Sequence, residues 1–145
     1  MPENILEKII KNKTEKVEKL KKTITSESLN DLIKTNNTFV NFKGKIEDNI
    51  KENKFSIIAE IKKASPSAGI IIKNYDPVEI ASRYDKNKAT CLSVLTEEDF
   101  FYGNLIHVSK IKQQIKLPTL CKDFFIDKFQ VSLAKSYGAD AILII

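Results

Sequence analysis

The sequence contains one histidine and two cysteines in 145 residues, and this scarcity excludes several kinds of site. Cys91 and Cys121 lie far apart within apolar runs, which is typical of small core side chains in a reducing compartment rather than of a disulfide or a metal pair. His107 has neither a neighbouring cysteine nor a second histidine, so the ligands of a zinc centre are missing. The sequence therefore predicts neither a disulfide nor a zinc site.

Long apolar runs and clustered charge of one sign are also absent. The N-terminus is too charged for a signal peptide and no apolar run approaches transmembrane length, so we expect a cytoplasmic protein without a membrane partner. The net charge is +5, but the lysines are interspersed with Asp and Glu, as on a solvated helix face. This distribution argues against a nucleic-acid partner.

Residues 1–54 are predicted to form a helical extension that covers the main domain. Apolar residues recur there at helical spacing among Lys and Glu: Ile5, Ile9, Val17, Leu20 and Ile24. A second helix is predicted to start near Thr25 or Ser26, either of which can act as its N-cap. A polar stretch, residues 43–54, is then expected to lead into the first strand.

From residue 55 onwards, short apolar runs alternate with helical patterns. The predicted strands lie within residues 55–61, 89–95, 117–124 and 139–145. A helix is predicted to start at Asp76, with Pro77 at its first position and Glu79 at the capping-box position. Further helices are predicted in residues 103–115 and from Asp127 to a stop at Gly138.

Strands that alternate with helices and are apolar on both faces indicate a parallel sheet with right-handed crossovers. A Rossmann fold has the same pattern, but it carries a glycine-rich turn after its first strand, and KKASPSAG contains no such motif. A barrel of repeated βα units fits better because polar residues stand at the C-terminal ends of several strands. The predicted fold class is α/β, a (β/α)8 barrel of which residues 55–145 supply about four βα units.

The stretch AEIKKASPSAG, residues 59–69, ends an apolar strand with charged residues. Because side chains alternate along a strand, Glu60 and Lys62 share one face with Ile58. In a barrel that face points into the lumen, where the two charges would be partly desolvated. Alternatively, Ile61 ends the strand and the lysines begin a solvated loop. The spacing alone leaves both interpretations open.

The second and third predicted strands also end in polar and aromatic residues. LPTLCKDF ends with Lys122, Asp123 and Phe124, and the second strand continues into TEEDFFYG, which contains acidic residues and two phenylalanines. The carboxyl ends of barrel strands meet on one side of the barrel, where such enzymes keep their active sites. We therefore predict a pocket there that suits a substrate with negative charge and an aromatic ring.

Three segments together resemble the indole-3-glycerol-phosphate synthase family. In chain order they are IIAEIKKASPSAG, LSVLTEEDFFYGNL and LPTLCKDFFIDKFQVSLAKSYGADAILII. The resemblance implies a (β/α)8 barrel preceded by a helical extension. It also implies conversion of a small phosphorylated, anthranilate-derived substrate, 1-(2-carboxyphenylamino)-1-deoxyribulose 5-phosphate, into indole-3-glycerol phosphate, without a cofactor or a metal.

The resemblance also implies roles for residues at matching positions. Lys122 matches the lysine that acts as general acid on the substrate carbonyl, and Lys62 matches the lysine that binds the anthranilate carboxylate. Glu60 matches a neighbouring carboxylate that tunes these lysines or handles a proton. Three more positions match substrate-binding residues, the first near the phosphate and the others as walls around the ring: Ser65, Phe101 and Phe124.

A barrel of this type has eight strands and about 250 residues. The present sequence supplies four strands and is expected to stop within the fourth, so we expect the N-terminal part of a synthase that is inactive by itself. The alternative is a non-catalytic half-barrel or gene relic, whose open sheet edge would associate with another chain.

Overall fold

A computed structural model describes residues 4–36 and 39–145 of the chain. The elements are α1 (Ile5–Thr23), α2 (Ser26–Thr35), α3 (Phe42–Lys51), β1 (Ile58–Ile61), β2 (Ala64–Ser65), β3 (Gly69–Ile70), α4 (Pro77–Lys86), β4 (Cys91–Leu95), α5 (Leu105–Gln114), β5 (Thr119–Lys122), α6 (Lys128–Ser136) and β6 (Ala141–Ile142). No helix within these two ranges is long and apolar enough to cross a membrane.

Four of the strands form one parallel sheet in the order β1-β4-β5-β6. Spatial order follows chain order, and α4, α5 and α6 each connect one strand to its neighbour, which is the winding of a (β/α)8 barrel. The predicted fold class is therefore confirmed: the chain is an α/β protein that forms part of such a barrel. The division at residue 54 stays a prediction.

The strands are shorter than the apolar runs that predict them. Of residues 55–61 only the last four belong to β1, and Phe55 is 96% exposed. Of residues 139–145 only Ala141–Ile142 form β6, where they pair with β5. A strand exists only where a partner completes its hydrogen-bond ladder, so the predicted boundaries were wrong at both ends of the sheet.

The start of helix α4 is set by the residues that the sequence predicts. Asp76 accepts hydrogen bonds from the backbone N–H groups of Val78 and Glu79, and Pro77 occupies the first helical position. The Glu79 carboxylate pairs with Arg83 one turn later, so it does not complete the predicted capping box. An intrahelical ion pair has replaced the backbone contact.

Helix α6 carries the complete capping box. Asp127 accepts from the N–H of Phe129 at 2.8 Å, while its own N–H donates to the Gln130 side chain at 3.1 Å. The helix ends at Ser136, and Gly138 with φ of 95° provides the left-handed turn towards β6. The predicted start and stop of this helix are confirmed.

Helices α1 and α2 pack on the barrel part of the chain. On α1 the buried residues are Ile9 and Val17, whereas Leu20 from the same apolar stripe is 37% exposed. Thr25, rather than Ser26, caps α2 by accepting from the N–H of Ser28. The amphipathic pattern thus identifies the covering helices correctly but overestimates how much of the stripe is buried.

The polar stretch before the first strand is itself a helix, α3, which the sequence pattern did not identify as one. Asn41 caps it by accepting from the N–H of Gly44, and the Asn49 amide donates to the Thr90 hydroxyl at the start of β4. No residue of α3 is buried. Its apolar residues, Phe42, Ile46 and Ile50, recur at helical spacing, but only three of its ten residues are apolar, so the signal for a helix is weak.

The hydrophobic core lies between the sheet and helices α4, α5 and α6. Its strand residues are Ala59, Ile61, Leu92, Val94 and Cys121, and its helix residues are Ala81, Val108, Ile111 and Ala134. On the other face of the sheet Ile58 is 49% exposed. That face corresponds to the lumen of a closed barrel, where further strands would bury it.

Candidate active site

Glu60 lies between two lysines on the lumen face of the sheet. One of its carboxylate oxygens is 2.6 Å from Lys122 Nζ, and the other is 3.2 Å from Lys62 Nζ. All three side chains are about one-third exposed, with values of 32% for Glu60, 34% for Lys122 and 33% for Lys62. The structure therefore brings the three predicted charged residues together in one hydrogen-bonded group. We call it the Lys–Glu–Lys group.

The sheet register explains how these side chains meet. Glu60 in β1 is level with Ser93 in β4, while Lys122 in β5 is level with Leu95. Strands lie about 4.8 Å apart, so β1 and β5 are separated by roughly twice that distance across β4. The small Ser93 leaves space above the central strand, and the long Glu60 and Lys122 side chains span it.

The main chain beneath Glu60 is fixed from the helix layer. The Tyr84 hydroxyl of α4 donates a 2.9 Å hydrogen bond to the Glu60 carbonyl oxygen. Next to it, Ile61 is fully buried in the core. The Glu60 carboxylate therefore projects from a rigid strand end, which favours precise placement of both lysines.

The pKa of Glu60 lies below its ordinary value of 4.5. Partial burial is the largest single influence and raises this pKa, but the hydrogen bonds and charges of Lys122 and then Lys62 together outweigh it. Glu60 is consequently ionised at neutral pH. It can therefore hold two ammonium groups in place.

The two predicted aromatic wall residues form a pair beside the Lys–Glu–Lys group. The ring centroids of Phe101 and Phe124 are 6.0 Å apart with an interplanar angle of 41°, within the range of favourable aromatic contacts. Phe124 is two residues beyond Lys122, and Phe101 lies in the loop that follows β4. The structure thus joins aromatic residues from two strand ends.

Ser65 belongs to a small antiparallel hairpin, β2 and β3, that the sequence did not predict. Its hydroxyl accepts from the N–H of Ala68 at 3.2 Å and lies 3.4 Å from the Ser67 hydroxyl. These bonds hold the turn that leads to Gly69, whose φ is 65°. Ser65 therefore organises its own loop, and its predicted contact with a phosphate stays a prediction.

The acidic residues after β4 do not all face the pocket. Glu98 and Asp99 turn towards α1, where Lys16 Nζ lies 3.0 Å and 2.6 Å from their carboxylates. Glu97 is 1% exposed and accepts hydrogen bonds from the loop backbone. The sequence suggested a common polar pocket for this loop, but these three carboxylates have partners elsewhere, and Phe101 packs against Phe124.

Asp123 is a buried residue next to the site for which the sequence analysis assigned no role. Its two oxygens accept from Lys13 Nζ at 2.8 Å and from the Thr96 hydroxyl at 2.7 Å. The carboxylate thus ties α1 and the end of β4 to the residue after Lys122. Strand alternation already places Asp123 on the helix side, opposite to Lys122. This alternation was the sequence signal that could have predicted its burial.

A cavity of about 320 Å³ lies on the helix side of the sheet, beneath α1. Its apolar lining comes from α1, α5, α6 and the loop before α6, and includes Val17, Leu20, Leu105, Phe125, Leu133 and Ala134. None of the Lys–Glu–Lys residues lines it. The cavity is therefore separate from the candidate site.

Comparisons with known proteins agree with the motifs and with the geometry. The sequence model of the family described as indole-3-glycerol phosphate synthase matches residues 6–145. The indole-3-glycerol phosphate synthase of Microcystis aeruginosa is 40% identical over 144 residues, covering 99% of this chain and 48% of the relative. That of Aliarcobacter butzleri is 43% identical over 141 residues, covering 97% and 54%. The tryptophan biosynthesis protein TrpCF of Buchnera aphidicola is 43% identical over 144 residues, covering 99% and 30%.

The present chain spans about half the length of the synthases that it matches. The matched region contains the Lys–Glu–Lys group, the phenylalanine pair and all the strands of the sheet. A family match over nearly the whole chain, together with this arrangement of side chains, identifies the protein as a member of the indole-3-glycerol phosphate synthase family.

Proposed function

We propose that this chain is the N-terminal part of an indole-3-glycerol phosphate synthase. The full enzyme would close the ring of 1-(2-carboxyphenylamino)-1-deoxyribulose 5-phosphate and release one carbon dioxide and one water. The observation that supports this most strongly is the Lys–Glu–Lys group at the carboxyl ends of β1 and β5. It offers two cations, at different sites, to a substrate that carries both a carboxylate and a reacting carbonyl.

Lys122 is the proposed general acid of ring closure. A carbon–carbon bond forms between the ring carbon that bears the carboxylate and the ribulose carbonyl carbon, and negative charge develops on the carbonyl oxygen. An ammonium beside that oxygen stabilises the charge and donates the proton that turns it into a hydroxyl group. Glu60, at 2.6 Å, holds the Lys122 ammonium in place until the substrate enters.

Lys62 is the proposed partner of the anthranilate carboxylate. Its ammonium is held by the other Glu60 oxygen at 3.2 Å. Because Lys62 is bound to a different oxygen, it can turn to the substrate without disturbing Lys122. After ring closure the carboxylate leaves as neutral carbon dioxide, a step that an apolar environment favours. Phe101 and Phe124 supply apolar walls on the side of the aromatic ring.

The remaining assignments follow the same scheme. Ser65 is proposed to lie near the phosphate, since its hairpin directly follows Lys62 in the chain.

The substrate is the one partner that we propose for the full enzyme. A cytoplasmic location is proposed because Cys91 and Cys121 are both free thiols.

Growth complementation tests this function. Residues 1–145 would be joined to the C-terminal part of the Aliarcobacter butzleri synthase that follows the matched region; we call this fusion the completed chain. It is expected to restore growth without tryptophan to a bacterial strain that lacks its own synthase. The C-terminal part alone is the matched control and is expected to fail. Absence of growth, with folded fusion protein present in the cells, would refute the proposal.

Replacing Lys62 by glutamine in the completed chain tests its contact with the carboxylate. We expect about tenfold weaker binding of the substrate, because a charge-assisted hydrogen bond is lost. Binding of the decarboxylated analogue, 1-phenylamino-1-deoxyribulose 5-phosphate, should change little. Inhibition and binding constants for both ligands measure this, and Lys63→Gln serves as the neighbouring control. Equal losses for the two ligands would show that Lys62 acts elsewhere.

Glu60 should make the stability of the completed chain depend on pH in acidic solution. Its folded-state pKa is lowered, so its stabilising effect is complete above the unfolded value of 4.5 and is lost as pH falls through the lower folded pKa. The unfolding free energy of the completed chain minus that of Glu60→Gln should be constant from pH 5 upwards and shrink below it. Urea unfolding at each pH measures this difference. A difference that grew on acidification would contradict the ion-pair assignment.

Self-association of the chain by itself is a second proposal, favoured by the partly uncovered lumen face. Ile58 is 49% exposed there, and a parallel sheet normally has both faces buried. The chain in isolation would therefore behave as a non-catalytic half-barrel that associates with another chain. This property is compatible with a synthase function for the full-length protein.

A further inference from the structure

The loop after β4 is organised by a buried carboxylate. Glu97 is 1% exposed, and its two oxygens accept hydrogen bonds from three consecutive backbone N–H groups. The donors are Asp99 at 3.0 Å, Phe100 at 2.8 Å and Phe101 at 3.0 Å. Charge-assisted bonds of this kind are stronger than neutral ones, and they fix the direction of the backbone at each donor.

Glu97 also closes the loop through its main chain. Its carbonyl oxygen accepts from the N–H of Gly103 at 2.8 Å. Tyr102 has φ of 53°, a left-handed conformation that a tyrosine adopts only under constraint. A Cβ atom on Gly103 would lie 2.3 Å from the Leu95 carbonyl oxygen, so this position accepts only glycine. The loop is therefore wound tightly against the end of β4.

This tight loop fixes the position of Phe101. Its N–H is the last of the three that bind Glu97, and its ring meets Phe124 from the neighbouring strand end at 6.0 Å. The Glu97 carboxylate itself is enclosed and is bound to the loop backbone. Any effect of Glu97 on a ligand must consequently act through the residues that its carboxylate holds.

We propose that Glu97 is a positioning residue that fixes Phe101 against Phe124 and so sets the affinity of the enzyme for the aromatic part of its substrate. The inference rests on the proposed function, because it concerns the ring-binding wall of that same site. It assigns Glu97 a role in substrate selection that is distinct from the proton transfers of Lys122. Loss of its charge should loosen the wall but leave the Lys–Glu–Lys group intact.

The test compares Glu97→Gln with Glu98→Gln in the completed chain. Glu98 is the adjacent exposed carboxylate that faces Lys16, so it is the matched control. Glu97→Gln should raise KM for the substrate about tenfold, with kcat changed by no more than about twofold. Inhibition by ribulose 5-phosphate, which lacks the aromatic ring, should be unchanged. Glu98→Gln should match the unsubstituted protein in all three measurements.

A double-mutant cycle with Phe101→Ala separates positioning from a general structural role. If Glu97 acts through Phe101, Glu97→Gln should raise KM much less when Phe101 is already alanine. Additive effects, or parallel losses in kcat and in ribulose 5-phosphate binding, would overturn the proposal. If Glu97→Gln does not fold, Glu97→Asp tests the proposal instead, because aspartate keeps the carboxylate but has a shorter side chain. Glu97→Asp should raise KM by a smaller factor, and this rise should also depend on the presence of Phe101. An unsubstituted completed chain without synthase activity would instead refute the proposed function.

Discussion

Replacing Lys122 by methionine in the completed chain is expected to lower kcat by about 10²- to 10⁴-fold. Methionine keeps most of the length of the side chain but removes the ammonium that would protonate the carbonyl oxygen. Glu60 loses its partner at 2.6 Å but keeps Lys62 at 3.2 Å, so the fold should persist. Because the role is exerted in the transition state, KM should change far less than kcat.

Steady-state kinetics of Lys122→Met and of a control lysine variant measure this effect. Lys116 is exposed and lies outside the Lys–Glu–Lys group, so Lys116→Met should behave like the unsubstituted protein. Circular dichroism and thermal unfolding would establish that both variants are folded. A Lys122→Met protein with near-normal kcat would remove Lys122 from the mechanism.

The 145-residue chain expressed alone is expected to self-associate and to show no synthase activity. Its main core lies on the helix side of the sheet. Large apolar side chains are exposed at the strand ends and on the lumen side: Phe55, Ile57, Ile58, Ile144 and Ile145. Exposed apolar area of this kind drives association. In the chain alone the Lys–Glu–Lys group also faces water, which weakens its electrostatic effect.

Size-exclusion chromatography with light scattering tests the association, and a matched pair of variants tests its location. Ile58→Lys places a charge on the lumen face and should shift the protein towards monomer. Ile106→Lys makes the same change on the outer surface of α5, where Ile106 is 41% exposed, and should leave association unchanged. A monomeric 145-residue chain that turned over substrate would contradict both the association and the need for further strands.

Much of the fold could be predicted because the local signals are independent of the rest of the chain. Asp76 and Asp127 cap their helices, and Gly138 ends α6, through contacts with residues at most a few positions away. Helix α3 was missed because only three of its ten residues are apolar, and β1 is shorter than predicted because a strand depends on its neighbour. The strand boundaries could not be predicted because they depend on partner strands that are distant in the chain.

In the candidate site, too, local features could be predicted from the sequence and long-range contacts could not. Strand alternation put Glu60 and Lys62 on one face, but only the register across β4 shows that Lys122 reaches Glu60. Glu97 was grouped with the other acidic residues of its loop, since a sequence does not reveal that a carboxylate is bound to backbone N–H groups. One local signal existed: a carboxylate directly after a buried strand, followed by a tight turn that ends in glycine.

The most direct measurement is the reaction itself, carried out with purified completed chain. The substrate would carry an isotopic label in its carboxylate, so that released carbon dioxide and fluorescent indole-3-glycerol phosphate are counted in the same sample. We expect both products in a one-to-one ratio, and neither with the C-terminal part of the relative alone. A folded fusion that binds the substrate but releases no carbon dioxide, or releases it without forming the indole, would contradict the assignment of this chain to the catalytic half of a synthase.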